Sequence, residues 1–564
     1  MLSARSSSRT GHLDFVFPVC LYGLGAFVFF RGQILSNFDQ AFGDRGDARF
    51  VVFLHEHVYR CLLGHGEFLS PPFFFDQAKT LGYSEVFLLD QFLYTPLRLL
   101  GVEPLLALSW VVILLSPIGF TFLYLFLRRL GISATIASLA ALIFTFSNNL
   151  YLKSGHLQHF AVYYVPVVVY CAAMAVGELH RRPRQAYLMG GFAGALCGLL
   201  FSTSYYIAWF FGLALLIFTP VAACNSWSEL RDWWRKQPAR VLGLGLASGI
   251  GFLAALAIFF SIYASVLADG LARSFGEYLY FAPRPYDVVN VGAENLVWSR
   301  LIQALHLIDD DHLNNGERWV ALTPTVQALL LASMIFAFRP GFWPAEGSLR
   351  VHRALVVGST AVCILLFLLV VSVGRYSVFY ILYAIVPGAN AIRASYRCMI
   401  VANLFAVTAI ALTFDRVISF SSAEARQLLP RGGVAALTGL LLLAAIEQVN
   451  LAHPAGLSRR LEHQYFSAVA PAPRDCQSFY VAPEQNATEF EVQLDAMMVA
   501  MMEHVPTLNG YSGFIPKGWD FYDTKAADYE QHALRWAAKR GITHGLCRLD
   551  IKSGTWTLVT RGDN

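Results

Sequence analysis

The chain has 564 residues, of which 56% are hydrophobic and only 14% are charged. Together with a mean hydropathy of +0.50, this composition excludes a soluble globular protein and indicates a polytopic α-helical membrane protein. The formal net charge is only +4 and is spread over many loops, so no nucleic-acid partner is predicted.

Apolar runs long enough to cross a bilayer recur along the chain, and the first is interpreted as a retained signal-anchor. Arginines recur in every second loop, which predicts a cytoplasmic N-terminus. They are Arg5 and Arg9, Arg128 and Arg129, Arg181, Arg182 and Arg184, Arg231, Arg235 and Arg240, Arg339, Arg350 and Arg353, and Arg416, Arg426 and Arg431. About eleven spans are predicted, near residues 15–31, 104–127, 133–150, 160–177, 186–202, 205–223, 241–263, 321–338, 353–373, 398–414 and 433–451.

This topology divides the chain into a transmembrane domain, residues 1–451, and a C-terminal domain, residues 452–564. A first outer loop (32–103), a long outer loop (264–320) and the C-terminal domain all fall on the extracytoplasmic face. Nearly every cluster of polar residues lies on that face, so any chemistry is predicted to take place there. No nucleotide-binding motif lies on the cytoplasmic side.

Two carboxylates, Asp44 and Asp47, follow the first span in the run GDRGDARF. Acids placed just outside a membrane suit acid/base or metal chemistry at the interface, whereas a transporter more often buries its acids within its spans. The alternative is that both acids cap the helix that follows. That helix, Phe50 to Leu63, has a one-sided apolar stripe and is predicted to lie on the membrane surface.

Further candidates lie in three other outer segments. Glu85 opens a second amphipathic stretch that runs to Leu100, and is either a substrate contact or an N-terminal helix charge. The turn GHLQH carries His156 and His159, which are either site residues or loop residues that hydrogen-bond between spans. The segment 374–397 carries three arginines, whose planar guanidinium groups bind phosphate bidentately or snorkel to the interface. They are Arg375, Arg393 and Arg397.

The region after residue 451 alternates short β-like and helical runs, which predicts a small extracytoplasmic α/β domain. Its NGYSGF turn offers Tyr511 as a platform for a sugar ring. Cys476 and Cys547 flank or lie in the β-like runs 478–482 and 545–549. Adjacent pairing of those strands in an oxidising compartment predicts a disulfide; the alternative is two unpaired core cysteines. No Cys/His cluster has zinc-ligand spacing.

The run Asp47-Ala-Arg49-Phe50 after a first span resembles the D-x-R-aromatic motif of the GT-C class of membrane glycosyltransferases. Four more segments resemble bacterial members of the GT-C-like and YfhO-like group: PPFFFDQAKTLGYSE (71–85), GHLQHF (155–160), PGANAIRASYR (387–397) and PTLNGYSGF (506–514). The resemblance implies a GT-C-like fold and a polyprenyl-phosphate sugar donor. It also implies a first-loop carboxylate that deprotonates the acceptor or holds a divalent metal, Mg²⁺ or Mn²⁺.

The residues and the resemblance together predict a glycosyltransferase of a bacterial inner membrane, with a periplasmic C-terminal domain. It would move a sugar from a polyprenyl-phosphate donor to a lipid, polysaccharide or protein acceptor. Asp47 is the predicted base, Asp44 its partner, and Arg375, Arg393 and Arg397 the phosphate ligands. The predicted substrate contacts are Arg49, Glu85, His156, His159, Asn509 and Tyr511. The alternative is a non-enzymatic protein that transports or assembles lipid-linked glycans.

Overall fold

The computed structural model is mostly helical and describes residues 13–308, 316–343, 347–419, 433–453, 456–482, 484 and 487–559. The predicted inner arginines Arg5, Arg9, Arg426 and Arg431 lie outside these residues. In chain order the described helices are α1 (Leu13–Phe29), α2 (Arg31–Leu35), α3 (Asp47–Leu62), α4 (Gln91–Leu99), α5 (Pro104–Arg129), α6 (Ala134–Thr145), α7 (Asn148–Leu152), α8 (Tyr164–Glu178), α9 (Pro183–Leu200), α10 (Tyr205–Asn225), α11 (Trp227–Lys236), α12 (Pro238–Ala268), α13 (Phe275–Phe281), α14 (Ser299–Ala304), α15 (Pro324–Phe338), α16 (Ser348–Val370), α17 (Phe379–Ile385), α18 (Cys398–Ser419), α19 (Gly433–Ile446), α20 (Arg459–Ser467), α21 (Glu489–Glu503) and α22 (Tyr529–Lys539).

Apolar helices form the membrane bundle, and all eleven predicted spans fall on helices of the described chain. Seven stretches are long and apolar enough to cross a membrane: 104–129, 134–152, 157–178, 205–225, 238–268, 348–370 and 395–418. Three shorter apolar helices cover 16–29, 324–338 and 435–446, and α9 covers the remaining predicted span. Local signals set their ends: Pro104 opens α5, and the Glu103 side chain caps its first turn.

Small residues let two of these helices, α9 and α12, pack backbone to backbone. A Cβ added at Gly194 would overlap the carbonyl oxygen of Ser248, and one added at Gly251 would overlap that of Gly191. Without water to drive association inside a bilayer, such close approach supplies the van der Waals contact that holds membrane helices together.

The C-terminal region forms a three-stranded sheet, β5 (Ser478–Val481), β6 (Leu546–Asp550) and β7 (Thr555–Leu558). β5 pairs with β6 in parallel, and β6 pairs with β7 antiparallel. The parallel pairing places Ser478 opposite Leu546, and Cys476 forms a disulfide with Cys547 across a Cα–Cα distance of 5.8 Å. The predicted strand pairing and the predicted disulfide are therefore both confirmed.

The prediction that the helix of the first outer loop lies on the membrane surface is wrong, because other parts of the protein enclose α3. α3 is buried along most of its length because the C-terminal domain packs on its polar side. A short strand, β1 (Gln40–Phe42), pairs with β4 (Gly456–Ser458), which joins the first loop to the C-terminal domain. The second amphipathic helix is shorter than predicted, since α4 begins only at Gln91. Glu85 thus lies in a loop and is not an N-terminal helix charge.

Candidate active site

A cavity of about 560 Å³ opens where the first loop, the long outer loop and the C-terminal domain meet. Its charged lining consists of Asp47, Glu85, Arg273, Glu277 and Arg393. Aromatic rings cover much of the remaining wall, as in most sites for organic ligands; they belong to Phe50, Phe87, Tyr511, Phe514 and Tyr522. Asp47 follows the first span and Arg393 lies shortly before α18, far apart in the sequence. Both of these predicted residues therefore line the same cavity.

Asp47 is the first residue of α3, and Asp44, three residues earlier, caps that helix. One oxygen of the Asp44 carboxylate accepts hydrogen bonds from the backbone N–H of Gly46 and of Asp47, both at 2.9 Å. This leaves the Asp47 carboxylate, 34% exposed, available to the cavity. The capping alternative thus describes Asp44, whereas Asp47 lines the cavity.

His156 connects Asp47 to a buried group of charges behind the cavity. Its Nδ1 lies 2.6 Å from Asp47 Oδ2, and its Nε2 lies 3.1 Å from Glu317 Oε1. Glu317 in turn lies 3.2 Å from Lys153 Nζ and 2.7 Å from Arg397 Nη2. We call Lys153, His156, Glu317 and Arg397 the Glu317 cluster. It ties the turn after α7 and the start of α18 to the long outer loop.

The Glu317 cluster sets the charge state of Asp47. Burial alone would raise the pKa of Asp47, but the hydrogen bond from His156 and the charges of His156 and Arg397 lower it below its ordinary value. Burial and Arg397 disfavour the charged form of His156, yet its bonds to Asp47 and Glu317 raise its pKa. A protonated His156 donates to both carboxylates, so Asp47 is an oriented anion at neutral pH.

Glu85 is the second carboxyl group that lines the cavity, and its surroundings differ from those of Asp47. Burial raises the pKa of Glu85 to about 7, although Arg397 and hydrogen bonds from the backbone of Tyr206 and from Ser204 oppose that shift. The Ser204 hydroxyl lies 3.3 Å from Glu85 Oε1. One carboxylate held ionised beside one that titrates near neutrality is typical of acid/base sites.

Two arginines that line the cavity share a single carboxylate. Glu277 Oε1 lies 3.2 Å from Arg273 Nη1 and 3.5 Å from Arg393 Nη1. The Arg393 side chain remains 41% exposed, and its backbone N–H donates to the Tyr206 hydroxyl at 3.0 Å. Two guanidinium groups against one acid give this part of the cavity a surplus of positive charge, which suits a phosphate.

Several predicted site residues lie away from the cavity. Arg49 is 1% exposed and is bound by Glu462 at 2.7 Å and by Asp495, so it docks the C-terminal domain on α3 and does not line the cavity. Asn509 is fully buried, where it bonds the backbone of Val481 and the side chains of Gln493 and Tyr529. Both serve the packing of the C-terminal domain because that domain encloses them.

Three more predicted residues, Arg375, Arg397 and His159, do not line the cavity. Arg375 lies in the turn between β2 (Ser372–Val373) and β3 (Tyr376–Ser377), with its guanidinium over the Tyr376 ring and away from the cavity. Arg397 is buried in the Glu317 cluster and acts on Asp47 through charge. His159 is fully buried beside His156, with ring centroids 5.8 Å apart. Its two ring nitrogens have no hydrogen-bond partner among the described residues.

Sequence reasoning did not single out four charged residues of this site: Lys153, Arg273, Glu277 and Glu317. Lys153 could have been predicted from the sequence, since it is the one cation in the predicted outer turn that carries GHLQH. Glu317 could not, because 161 positions separate it from His156 and no spacing pattern connects them. Asp44 uses one carboxylate oxygen to cap α3, and a divalent metal shared by Asp44 and Asp47 stays a prediction. In the described part of the chain no group of three or more His, Cys, Asp or Glu side chains converges as metal ligands.

Comparisons with known proteins bear on the fold. No protein-family model matches the chain, and no curated protein matches it in sequence. The oligosaccharyltransferase of Archaeoglobus fulgidus, in its apo form, matches 93% of this chain and 68% of its own, with a TM-score of 0.51 and 10% identity. The same organism's oligosaccharyltransferase AglB, in complex with an inhibitory peptide and a dolichol-phosphate, matches 95% of this chain and 70% of its own, with a TM-score of 0.50 and 12% identity. The chain has the fold of the GT-C-class membrane glycosyltransferases.

Proposed function

We propose that the protein is a membrane glycosyltransferase that moves a sugar from a polyprenyl-phosphate donor to an acceptor on the extracytoplasmic face. The observation that carries this proposal is the shared cavity of Asp47 and Arg393. An ionised carboxylate and a pair of arginines that line one cavity are the two elements that transfer from a sugar phosphate requires.

The reaction follows from the positions of these groups. Asp47 accepts the proton of an acceptor hydroxyl, whose oxygen then forms a bond to the anomeric carbon of the sugar. The bond between that carbon and the phosphate oxygen breaks, and its electron pair leaves with the polyprenyl phosphate. Arg393 and Arg273 stabilise the negative charge that develops on the phosphate. The aromatic wall, including Tyr511, supports the sugar ring.

His156 and Glu317 act as positioning residues for the base. His156 holds one oxygen of the Asp47 carboxylate, so the other oxygen is directed to the acceptor. Glu317 fixes the imidazole through its second nitrogen, and Lys153 and Arg397 hold Glu317 in place. The arrangement restricts the rotation of Asp47, which is how preorganisation lowers a barrier.

A lipid-linked donor is supported by the fold and by the location of the cavity at the ends of membrane helices. The AglB structure of the same fold contains a dolichol-phosphate. The arginine bias supports an extracytoplasmic position for the cavity and the C-terminal domain, where nucleotide sugars are absent and a donor must arrive through the lipid phase. We accordingly propose a bacterial inner-membrane location, with a lipid, polysaccharide or protein acceptor.

The test is transfer by the purified full-length protein in nanodiscs, supplied with a panel of polyprenyl-phosphate sugars, with release of polyprenyl phosphate as the readout. Asp47→Asn should lower turnover by ~10²–10⁴-fold, the usual contribution of a general base, without changing the melting temperature. The matched control is Asp44→Asn, in which the amide oxygen still caps α3, so turnover should stay near that of the wild type.

Parallel reactions with Mg²⁺, with Mn²⁺ and with a chelator test the separate proposal of a divalent metal. Near-full turnover of Asp47→Asn would refute the base. Absence of transfer with every donor, together with binding of lipid-linked glycans, would favour the transport or assembly alternative. A cavity shared by Asp47 and Arg393 favours the enzyme over that alternative.

A further inference from the structure

A second site lies on the side of the bundle formed by α1, α6 and α19. An apolar crevice of about 260 Å³ runs between these helices, and a more polar cavity of about 500 Å³ continues from it. Phe29, Arg31 and Tyr151 line both spaces. None of the residues that line them lines the cavity that holds Asp47.

The two spaces have different linings because different parts of the chain build them. The crevice is formed mainly by side chains inside the helices, such as Leu24, Leu142 and Leu442. Leu24 and Leu442 are also exposed on the outer surface of the bundle, so the crevice opens toward the lipid phase. The polar cavity is formed by segments beyond the helix ends, including Gln40, Ser154 and His453. The groove is therefore amphipathic along its length, with its polar end at the membrane edge.

Arg31 lies at the junction of the two spaces. Its guanidinium donates to the backbone carbonyls of Val28, Asn450 and Ala452 at 2.9, 2.7 and 3.2 Å, and lies over the Tyr151 ring at 4.9 Å. These partners fix its position but do not neutralise its charge, and among the described residues no carboxylate pairs with it. A fixed cation between the apolar crevice and the polar cavity complements a lipid phosphate.

We propose that this groove binds an anionic glycerophospholipid, with an acyl chain in the crevice, the phosphate at Arg31 and the headgroup in the polar cavity. The site is independent of the proposed transfer reaction, since it shares no lining residue with that cavity. A zwitterionic lipid would fit the same crevice but would bring its own positive charge next to Arg31. The groove should therefore prefer phosphatidylglycerol to phosphatidylcholine.

The experiment is native mass spectrometry of the full-length protein, with phosphatidylglycerol and phosphatidylcholine of identical chains as probes. The wild type should retain phosphatidylglycerol about tenfold more than phosphatidylcholine. Arg31→Gln should remove that preference, and Arg31→Lys should keep part of it because the charge remains. Arg300→Gln, at an exposed arginine outside the groove, is the control and should change nothing.

A second variant tests the crevice without touching the charge. Leu442→Trp should fill it and lower the retention of both lipids, whereas Leu440→Trp, on the same helix but outside the groove and 39% exposed, should not. Melting temperatures verify that each variant is folded. Equal retention of the two lipids by the wild type would overturn the proposal, and so would equal effects of Leu442→Trp and Leu440→Trp. Undecaprenyl phosphate is a third probe, and its retention without retention of phosphatidylglycerol would also overturn the proposal, in favour of a second carrier site.

Discussion

Replacing Glu85 by glutamine should remove a pH dependence of donor use that the wild-type cavity imposes. The pKa of Glu85 is about 7, so the group is about 90% protonated at pH 6 and about 10% protonated at pH 8. Ionisation adds a negative charge to the space that must accept a sugar phosphate. Because the protonated form admits the anionic donor, kcat/KM for the donor should fall about tenfold from pH 6 to pH 8.

The same pKa shift makes the free energy of unfolding depend on pH. Burial raises the pKa of Glu85 above the ordinary value of 4.5, so the folded protein binds the proton more tightly than the unfolded chain. The resulting stabilisation is fully present below pH 4.5 and is lost as the pH rises through 7. Between pH 6 and pH 8 the free energy of unfolding should fall by about 1.3 kcal/mol from this group alone. Glu85→Gln should lack that part of the pH dependence.

The assay compares initial rates at subsaturating donor, at pH 6 and pH 8, in the wild type, in Glu85→Gln and in the control Glu67→Gln. Glu67 is an exposed acid of the same loop. Asp47 and His156 are present in all three proteins, so dividing the pH 6 to pH 8 rate ratio of the wild type by that of each variant isolates the effect of Glu85. An equal fall in the wild type and in Glu85→Gln would refute the reasoning. Loss of activity in Glu85→Gln at both pH values would also refute it, because the carboxylate itself would then be required.

Arg393→Gln should lower kcat for transfer by at least about tenfold through the loss of a charge-assisted phosphate contact, and Arg375→Gln, outside the cavity, should leave kcat unchanged. Arg49→Met should lower the free energy of unfolding by ~3–5 kcal/mol because two buried carboxylates lose their partner. Burial already raises the pKa of Asp495 to about 6. The folded protein is therefore stabilised by the proton on Asp495 at low pH, and this stabilisation is lost as the pH rises through 6. The Arg49 variant should therefore melt closer to the wild type at pH 5 than at pH 8; equal deficits would contradict this. Replacing Cys476 and Cys547 by serine should cost roughly 4 kcal/mol for a loop of about 70 residues, and reductant should lower the melting temperature of the wild type only.

The positions of the helices could be predicted from the sequence because hydrophobic length is a local property. A run of apolar residues must satisfy its backbone internally in a bilayer, so each of the eleven runs forms a helix whatever its neighbours are. The pairing of β5 with β6 was predicted from two β-like runs, one that begins just after Cys476 and one that contains Cys547. Asp47 and Arg393 were found because each lies in a short polar segment at a span boundary.

The role of each polar residue was decided only by tertiary packing. Arg49 was predicted to contact substrate, but its partners Glu462 and Asp495 lie 413 and 446 positions away, and no local pattern links them. Asp44 and Asp47 are alike in sequence, and only the geometry at the start of α3 makes one a cap and the other a cavity carboxylate. Glu317 joins His156 because the long outer loop returns to the bundle. Charge pairs inside a protein depend on which helices, strands and loops pack against one another. Hydrophobic patterning predicts the helices and strands, but it does not predict their tertiary contacts.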